Sequence, residues 1–317
     1  MSRRAAVLAV LVAACLFGTT GTALENGPEG VTTLGASFAR LLIGGLALCI
    51  AARVERPTEP RPWAPLRGSI LVSGSGMAVY QLSFFAATSR TGVATATVIT
   101  IGSGPVFAGL VQRLLTRRRP TRPWYIGTLC GIVGVVALGL SGAKEQLRFD
   151  GVLLALLAGL GWAGAATVCK TQIGRGLDST ASMAATFTTA AVLLGPGVIG
   201  ANLAWMSTGR GVSLVVYLGI VTVGVGYYLY GRGLRRLDAA TVITLTLAEP
   251  VVAAVLSVVV LHHHIALVGW VGVALVLAGL MVTARSAAQD TVPGDAARQH
   301  SGRSPADDAR RVGGRSV

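Results

Sequence analysis

The chain has 317 residues, of which 52% are hydrophobic and only 13% are charged. A soluble domain carries about 25% charged residues, so this composition argues against a soluble globular protein and indicates a membrane protein. The net charge of +14 does not predict nucleic-acid binding, because basic residues of a multispan protein mainly report which loops face the cytoplasm.

Ten apolar segments are long enough to cross a bilayer as helices. None alternates with a period of two, which argues against a transmembrane barrel and leaves helices to satisfy the backbone in lipid. We therefore predict an all-α integral membrane protein with ten transmembrane helices. In chain order, the segments comprise residues 5–24, 32–52, 68–87, 92–112, 123–141, 150–169, 181–200, 212–231, 239–261 and 265–284.

The first segment resembles a lipoprotein signal at Val12-Ala13-Ala14-Cys15. The residues after Cys15 remain apolar and nine more segments follow, so we expect this segment to be the first span. The four cysteines all lie in spans without a C-x-x-C motif, and we expect them to be small buried residues.

Basic residues are distributed unevenly between alternate loops. Of the 27 lysines and arginines, 22 fall in the two terminal segments and in every second loop, four fall in the other loops, and Arg40 lies within a span. The richer side of a membrane protein is normally cytoplasmic. We therefore expect a multi-pass protein of the cytoplasmic membrane with both termini in the cytoplasm.

One five-residue sequence occurs twice. Residues 96–100 and 240–244 both read Ala-Thr-Val-Ile-Thr, and Pro105 and Pro250 follow them. Phe17-Gly18 matches Trp162-Ala163 at the offset of 145 that also separates the two prolines. Such internal duplication is typical of secondary transporters.

The duplication divides the chain into residues 1–145 and 146–285, each with five spans. An odd number of crossings turns the second half upside down, so we predict two inverted five-helix repeats, and the opposite charge bias of equivalent loops favours this arrangement. Residues 286–317 have almost no large apolar side chains. We expect them to form a disordered cytoplasmic tail.

Two charged residues lie at bilayer depth, where a charge is costly and usually functional. Arg40 stands about eight residues into span two, and three roles remain open for it: snorkelling to the headgroups, a structural lock, or contact with a substrate. Glu249 lies mid-way along span nine, directly before Pro250. It could take a proton, contact a cationic group or pair with Arg40.

Prolines and polar aromatic residues complete the candidate site. Pro105 and Pro250 each remove a helical hydrogen bond, so we expect matched kinks near the midplane. Tyr80, Gln81, Trp162 and Tyr227, with Phe84, Tyr228 and Tyr230, either pack between helices or line a cavity for an amphipathic solute. A lone amide is unfavourable in lipid, which makes Gln81 the strongest cavity candidate among them.

Enzyme and cofactor motifs are absent from the sequence. It contains no P-loop and no Gly-x-Ser-x-Gly, and the adjacent histidines 262–264 would fan around about 200° of a helix rather than converge on a metal. We therefore expect neither a cofactor nor a bound metal, and we expect no catalytic activity. Glycine-rich faces suit packing within a chain and between chains equally, so the oligomeric state stays open.

Several segments resemble the EamA-type branch of the drug/metabolite transporter superfamily. The resemblance rests on Phe38–Leu42, Ala94–Pro105, Leu218–Tyr230, the stretch from Arg236 to Pro250, Gly269 and Gly279. It implies a ten-helix inverted repeat with a central cavity for a small organic solute, and it favours export. This chain differs where Phe17-Gly18 replaces the usual Trp-Gly, and where Arg118 and His263 replace the glutamates of the family's Gly-Glu-Arg turns.

These features predict a secondary transporter that moves a small organic metabolite, an amino acid or a drug by alternating access. No nucleotide-binding segment is present, so a gradient, such as that of protons, or the solute itself would supply the energy. The alternatives are a membrane-embedded enzyme, which would need more acidic or histidine side chains at bilayer depth, and a non-transporting receptor or assembly subunit, which would need a soluble domain or larger loops.

Overall fold

The computed structural model is built of helices throughout the residues it describes, which are 1–55, 63–117, 119–140, 148–262 and 264–289. Ten helical segments in these ranges are long and apolar enough to cross a membrane. The predicted all-α membrane fold with ten spans is therefore confirmed. Some residues named above lie outside the described ranges, namely Arg118, His263 and residues 290–317. So do Arg56, Arg61 and Lys144, which were counted among the basic residues of the loops.

The first five spans are single α-helices. Their bounds are α1 (Arg3–Glu25), α2 (Thr33–Val54), α3 (Arg67–Thr91), α4 (Val93–Thr116) and α5 (Arg122–Leu140). A short 3₁₀ turn, Ala64–Leu66, leads into α3. The helix α4 runs unbroken through Pro105.

The last five spans are less regular. They comprise α6 (Phe149–Gly174), α7 (Ser179–Leu194), α8 (Gly209–Val216), α9 (Gly226–Arg236), α10 (Ala239–Leu245), α11 (Ala248–Val259) and α12 (Leu267–Gln289). The eighth span consists of α8, a π-helical stretch over Tyr217–Val225, and α9. The ninth consists of α10 and α11, with a break at Thr246 and Leu247.

Capping side chains and a proline-containing turn account for several of the helix ends. Side chains of Ser2, Asp178 and Thr208 accept hydrogen bonds from the first free backbone N–H groups of α1, α7 and α8. The helix α7 ends at Leu194, before the predicted boundary at residue 200, because Gly195–Val198 with its proline forms a 3₁₀ turn. In contrast, α12 continues to Gln289, so the first four residues assigned to the tail are helical.

Equivalent helices of the two halves pack on equivalent neighbours. The helix α1 packs on α9 and α11, while its equivalent α6 packs on α3 and α4. Likewise, α2 packs on the π-helical stretch of span eight, and its equivalent α7 packs on α3. The pairs α2–α7 and α5–α12 join equivalent helices directly. The two sets of five spans therefore occupy matching positions in the bundle.

The contact between α5 and α12 requires glycine. A Cβ on Gly134 would lie 2.6 Å from the carbonyl oxygen of Gly272, and a Cβ on Gly272 would lie 2.5 Å from that of Gly134. Gly127 and Gly279 form a second reciprocal pair, each about two helical turns from the first. Small residues permit such close approach of backbones in a membrane, so these glycines set the spacing of the two equivalent helices.

Candidate solute-binding site

A guanidinium and an amide from two helices meet in the middle of the bundle. The Nη2 group of Arg40 on α2 donates a hydrogen bond of 3.2 Å to Oε1 of Gln81 on α3. The Gln81 side chain is fully buried, whereas Arg40 is half-buried. The sequence left the role of Arg40 open, and the structure shows that its guanidinium is directed to a buried amide.

Two hydrogen-bond donors of the Arg40–Gln81 pair are unsatisfied in the described structure. In the part of the chain that the structure describes, Nε of Arg40 and Nε2 of Gln81 are buried and have no hydrogen-bond partner. The hydroxyl of Tyr230 is also buried without a partner. Buried polar groups are nearly always satisfied in folded proteins, so orphaned donors at one place need an explanation.

Aromatic side chains from five helices pack beside the pair, and Tyr80 and Tyr227 are the ones next to Arg40. The rings of Tyr80 on α3 and Trp162 on α6 lie 6.5 Å apart between centroids. The ring of Tyr227 on α9 lies 4.7 Å from that of Phe17 on α1 and 4.2 Å from that of Phe187 on α7. The Tyr80 and Tyr227 hydroxyls are close enough to Arg40 to interact with it. Tyr80, Gln81, Trp162 and Tyr227 thus form one cluster with Arg40.

Two members of this cluster were not selected from the sequence. Phe17 served only as a marker of the repeat, although its match with Trp162 indicated an aromatic at the equivalent position of the other half. Phe187 lies in the seventh apolar segment, and no pattern in the sequence distinguishes it from other buried residues. Only packing brings Phe187 to Tyr227.

Glu249 is held at the start of a half-helix. It lies in the first turn of α11, just after the break at residues 246 and 247. A carboxylate is stabilised there by the partial positive charge of the helix N-terminus. Glu249 is half-buried and close enough to Arg40, Tyr80 and Tyr227 to act on them electrostatically.

Arg40 and Glu249 do not form a direct ion pair. The ion pairs within 4.0 Å among the described residues join Arg90 and Arg148 to Asp150, and Arg232 to Glu55. The two opposite charges of the central cluster therefore interact electrostatically but are not in direct contact.

The two prolines stand in different local structures. Pro250 is the third residue of α11, where the missing N–H costs nothing because the first turn of a helix leaves its N–H groups free. Pro105 lies inside the continuous helix α4. The duplicated proline therefore coincides with an interrupted helix only in the second half of the chain, next to Glu249.

The positions equivalent to the charged residues carry no charge. With the offset of 145, Glu249 corresponds to Gly104 and Arg40 corresponds to Ala185. The Trp162 ring covers Gly104 so closely that a Cβ there would lie 2.7 Å from Cζ3 of the indole. The site therefore combines one cation from the first half with one carboxylate from the second, within a scaffold that is otherwise matched.

A second polar cluster joins the halves at the end of the bundle that carries the basic loops. Glu55, just after α2, accepts hydrogen bonds from the Tyr228 hydroxyl (2.7 Å), Nη2 of Arg232 (2.9 Å) and the Thr180 hydroxyl (2.7 Å). Arg232 also bonds to the Tyr228 hydroxyl and stacks on its ring. We call Glu55, Thr180, Tyr228 and Arg232 the Glu55 clamp.

The clamp keeps its carboxylate ionised. Partial burial raises the pKa of Glu55, but the hydrogen bonds from Tyr228, Thr180 and Arg232 outweigh it and hold the pKa below its ordinary value of 4.5. Sequence reasoning missed Glu55, since an acid beside a basic loop usually only solvates the surface. Its partners come from α7 and α9, more than 120 residues away.

The opposite end of the bundle has an open groove of about 330 Å³ between α1 and α8. At its edge, the Tyr217 hydroxyl donates to Thr19 over 2.8 Å, and Arg210 donates to the carbonyl oxygen of Asn26 over 2.9 Å. The two ends of the molecule therefore differ: one has a charged clamp across the halves, and the other has a groove with neutral and basic walls.

The fold and the central cluster define a multi-pass membrane protein with a polar site between two matched sets of five spans. The model of the EamA-like transporter family matches residues 4–140 and 150–285. The chain belongs to the EamA-like transporter family, and it is a membrane transporter by that membership. The resemblance inferred from the sequence is thus confirmed.

Two relatives are named as transport proteins. The chain is 35% identical over 276 residues to an uncharacterized transporter, YwfM, of Bacillus subtilis, covering 87% of this chain and 92% of that protein. It is 26% identical over 282 residues to a protein of Streptantibioticus cattleyicolor named a probable terminal-alkyne amino-acid exporter, covering 88% and 93%. A solved crystal structure with 23% identity has a TM-score of 0.76, covers 90% of this chain and 98% of its own, and shows the same fold.

Proposed function

We propose that the protein is a secondary transporter that exports a small organic solute across the cytoplasmic membrane by alternating access. The observation that carries this proposal is the central cluster, in which Arg40 and Gln81 from the first half lie close to Tyr227 and Glu249 from the second. A site built from both halves changes its access when the halves rock against each other.

Exchanged contacts support the rocking mechanism. Because each helix of one half has the neighbours that its equivalent has in the other, the bundle can adopt two related arrangements of similar energy. With five spans in each half, the second repeat is inverted in the membrane. The basic loops and both termini then face the cytoplasm.

The Glu55 clamp supports a state that is closed on the cytoplasmic side. It lies beside the basic loops and ties α2 of the first half to α7 and α9 of the second. Opening toward the cytoplasm would require these hydrogen bonds to break. Loading a solute from the cytoplasm would therefore begin with release of the clamp.

Glu249 is our candidate for proton coupling. It is the acid of the central cluster, it lies at the N-terminus of a half-helix, and it has no direct ion-pair partner among the described residues. Binding and release of a proton at this carboxylate would change the charge of the site between the two access states.

Counterflow in proteoliposomes tests the transport proposal. Purified protein is first screened by thermal shift against amino acids, polyamines, sugars and cationic drugs, because a ligand of the native state raises the melting temperature. Each stabilising solute is then loaded unlabelled into vesicles, and labelled solute is added outside. We expect transient accumulation of label above equilibrium for at least one solute. No accumulation for any solute in the panel contradicts the proposal.

A further inference from the structure

A small pocket lies at the end of the bundle that carries the basic loops, apart from the central cluster and the Glu55 clamp. Its volume is about 40 Å³. One water needs about 10–15 Å³, so the pocket has room for a group of a few heavy atoms and not for a whole organic solute. We call it the Arg119 pocket, and the lining side chains that matter below are Arg3, Arg119, Trp124, Asp238, Thr241 and Ser286.

Two arginines make the wall of this pocket positive. Arg3 is held in place, because its Nε donates a hydrogen bond of 3.0 Å to the carbonyl oxygen of Ala287 at the end of α12. Arg119, in the loop before α5, forms none of the ion pairs found among the described residues. Asp238 also lines the pocket, but its charge is balanced by electrostatic interaction with Lys170 on α6. The surplus of positive charge favours an anion.

An unsatisfied indole donor belongs to the same pocket. Trp124, in the first turn of α5, lines the pocket, is only 6% exposed, and its Nε1 is buried without a hydrogen-bond partner in the described structure. The indole N–H can only donate, so it needs an acceptor. The ring also packs closely on α4, where a Cβ on Gly109 would lie 2.6 Å from Cη2 of the indole, which limits its rotation toward another partner. The hydroxyls of Thr241 and Ser286 add further donors for a ligand oxygen.

The position of the pocket along the bundle indicates where the anion comes from. Its arginines belong to the start of α1 and to the basic loop before α5, at the level of the lipid headgroups on the side that we infer to be cytoplasmic. Trp124 and Tyr125, whose ring centroids lie 4.9 Å apart, are the amphipathic aromatic residues typical of that level. A phosphodiester is small, carries one negative charge, and offers oxygens that suit arginine and indole donors, while its acyl chains stay in the bilayer.

We propose that the Arg119 pocket binds the phosphodiester of an anionic phospholipid of the cytoplasmic leaflet. Arg3 and Arg119 contact the phosphate oxygens, and Nε1 of Trp124 donates a hydrogen bond to one of them. The bound lipid connects α1 and α5 of the first half to α10 and α12 of the second, because all four helices contribute to the wall of the pocket. The assignment rests on the proposed orientation of the termini and does not depend on which solute is transported.

Lipid binding to the full-length protein in detergent tests this proposal. The probes are dioleoyl phosphatidylglycerol, which is anionic, and dioleoyl phosphatidylcholine, which has no net charge, with glycerol 3-phosphate and inorganic phosphate as water-soluble sources of the same group. Native mass spectrometry and thermal shift give the relative affinities, and the thermal shift is measured at about 0.3 M NaCl, where attraction to an exposed basic surface is screened. We expect phosphatidylglycerol to bind at least about fivefold more tightly than phosphatidylcholine, and neither soluble phosphate to stabilise the protein.

Two variants assign the contacts. Arg119→Gln removes one positive charge and should reduce the preference for phosphatidylglycerol by about fivefold. Trp124→Phe keeps an aromatic ring but loses the Nε1 donor, so the preference should fall by about threefold. Without lipid, Trp124→Phe should melt no lower than the wild type, because an unsatisfied buried donor has been removed. Arg53→Gln is the matched control, since it neutralises an exposed arginine in the last turn of α2, on the same side of the bundle but outside the pocket.

The outcomes separate a specific site from general attraction to lipid. Equal binding of the two phospholipids, or an equal loss of preference in Arg53→Gln and Arg119→Gln, overturns the pocket as the lipid site. A preference that survives in both Arg119→Gln and Trp124→Phe does the same. If a soluble phosphate stabilises the protein through Arg119 and phosphatidylglycerol does not, the lipid assignment is wrong. These measurements report binding of lipid alone, so their failure leaves the transport proposal intact, and a lack of counterflow leaves the lipid site intact.

Discussion

Replacing Glu55 with glutamine should open the cytoplasmic side of the bundle more often. The carboxylate accepts three hydrogen bonds, one from α7 and two from α9, and no described residue of α2 has as many hydrogen bonds to the second half. Glutamine has nearly the same shape. It loses the negative charge, and its NH₂ group can only donate, so it opposes one of the three donors.

The contacts set the size of the effect. Hydrogen bonds to a charged group contribute about 1.5–3 kcal/mol each when buried. The side chains of Arg232 and Glu55 are 34% and 31% exposed, and exposed ion pairs contribute only about 0.2–1 kcal/mol, so solvent reduces the total strongly. We expect Glu55→Gln to cost the closed state about 1–2 kcal/mol, which is a change of about 5–30-fold in the ratio of closed to open molecules.

A native cysteine reports on the opening. Cys49 lies six residues before Glu55 on α2, is half-buried, and has its sulfur 3.6 Å from the Thr188 hydroxyl of α7. With Cys15, Cys130 and Cys169 replaced by alanine, a membrane-impermeant maleimide is applied to the cytoplasmic face of inside-out vesicles. We expect Cys49 to be labelled about 5–30-fold faster in Glu55→Gln than in the parent protein.

Asp150→Asn provides the control for this experiment. It removes a surface carboxylate that pairs with Arg90 and Arg148 and touches neither the clamp nor the central cluster. Its labelling rate should equal that of the parent. An unchanged rate in Glu55→Gln would refute the clamp as a barrier, and an equal increase in both carboxylate variants would show a general loosening instead.

Three further predictions concern pH, coupling and packing. Because the pKa of Glu55 is lowered in the clamp, the closed state is stabilised at pH values above the ordinary 4.5, and this stabilisation is lost only as the pH falls through the lowered pKa. The ratio of labelling rates between Glu55→Gln and the parent should therefore be constant from pH 6 to 8. A tenfold change of this ratio within that window contradicts the argument. If Glu249 carries the coupling proton, Glu249→Gln should abolish flux driven by a pH gradient in proteoliposomes and leave solute binding measurable, whereas unchanged flux removes Glu249 from coupling. Gly134→Ala places a Cβ 2.6 Å from the carbonyl oxygen of Gly272 and should destabilise the protein by about 1–3 kcal/mol, which would lower its melting temperature in detergent. The control is Gly164→Ala, which has no atom within 4 Å of its Cβ and should melt like the wild type. Equal melting temperatures of the two variants would show that the α5–α12 contact tolerates a methyl group.

The amino-acid pattern alone determined the class of the fold. Runs of apolar residues long enough for a bilayer predict ten helices because the backbone must satisfy its own hydrogen bonds in lipid, and the described part of the chain contains ten such helices. The repeated Ala-Thr-Val-Ile-Thr and proline segments indicated two matched halves, and the exchanged contacts agree with this duplication. Glu249 and Arg40 were recognisable because a charge at that depth is costly.

Only the tertiary structure decided which of these residues meet and how. Gln81, Phe187 and Glu55 obtain their roles from side chains on other helices, at separations of 40 to 177 residues along the chain, and no local pattern encodes such contacts. The break before Glu249 forms in one repeat and not in the other, although both carry the same proline. Hydropathy is a property of single segments, whereas a binding site depends on the distances and unpaired donors that arise when the segments pack.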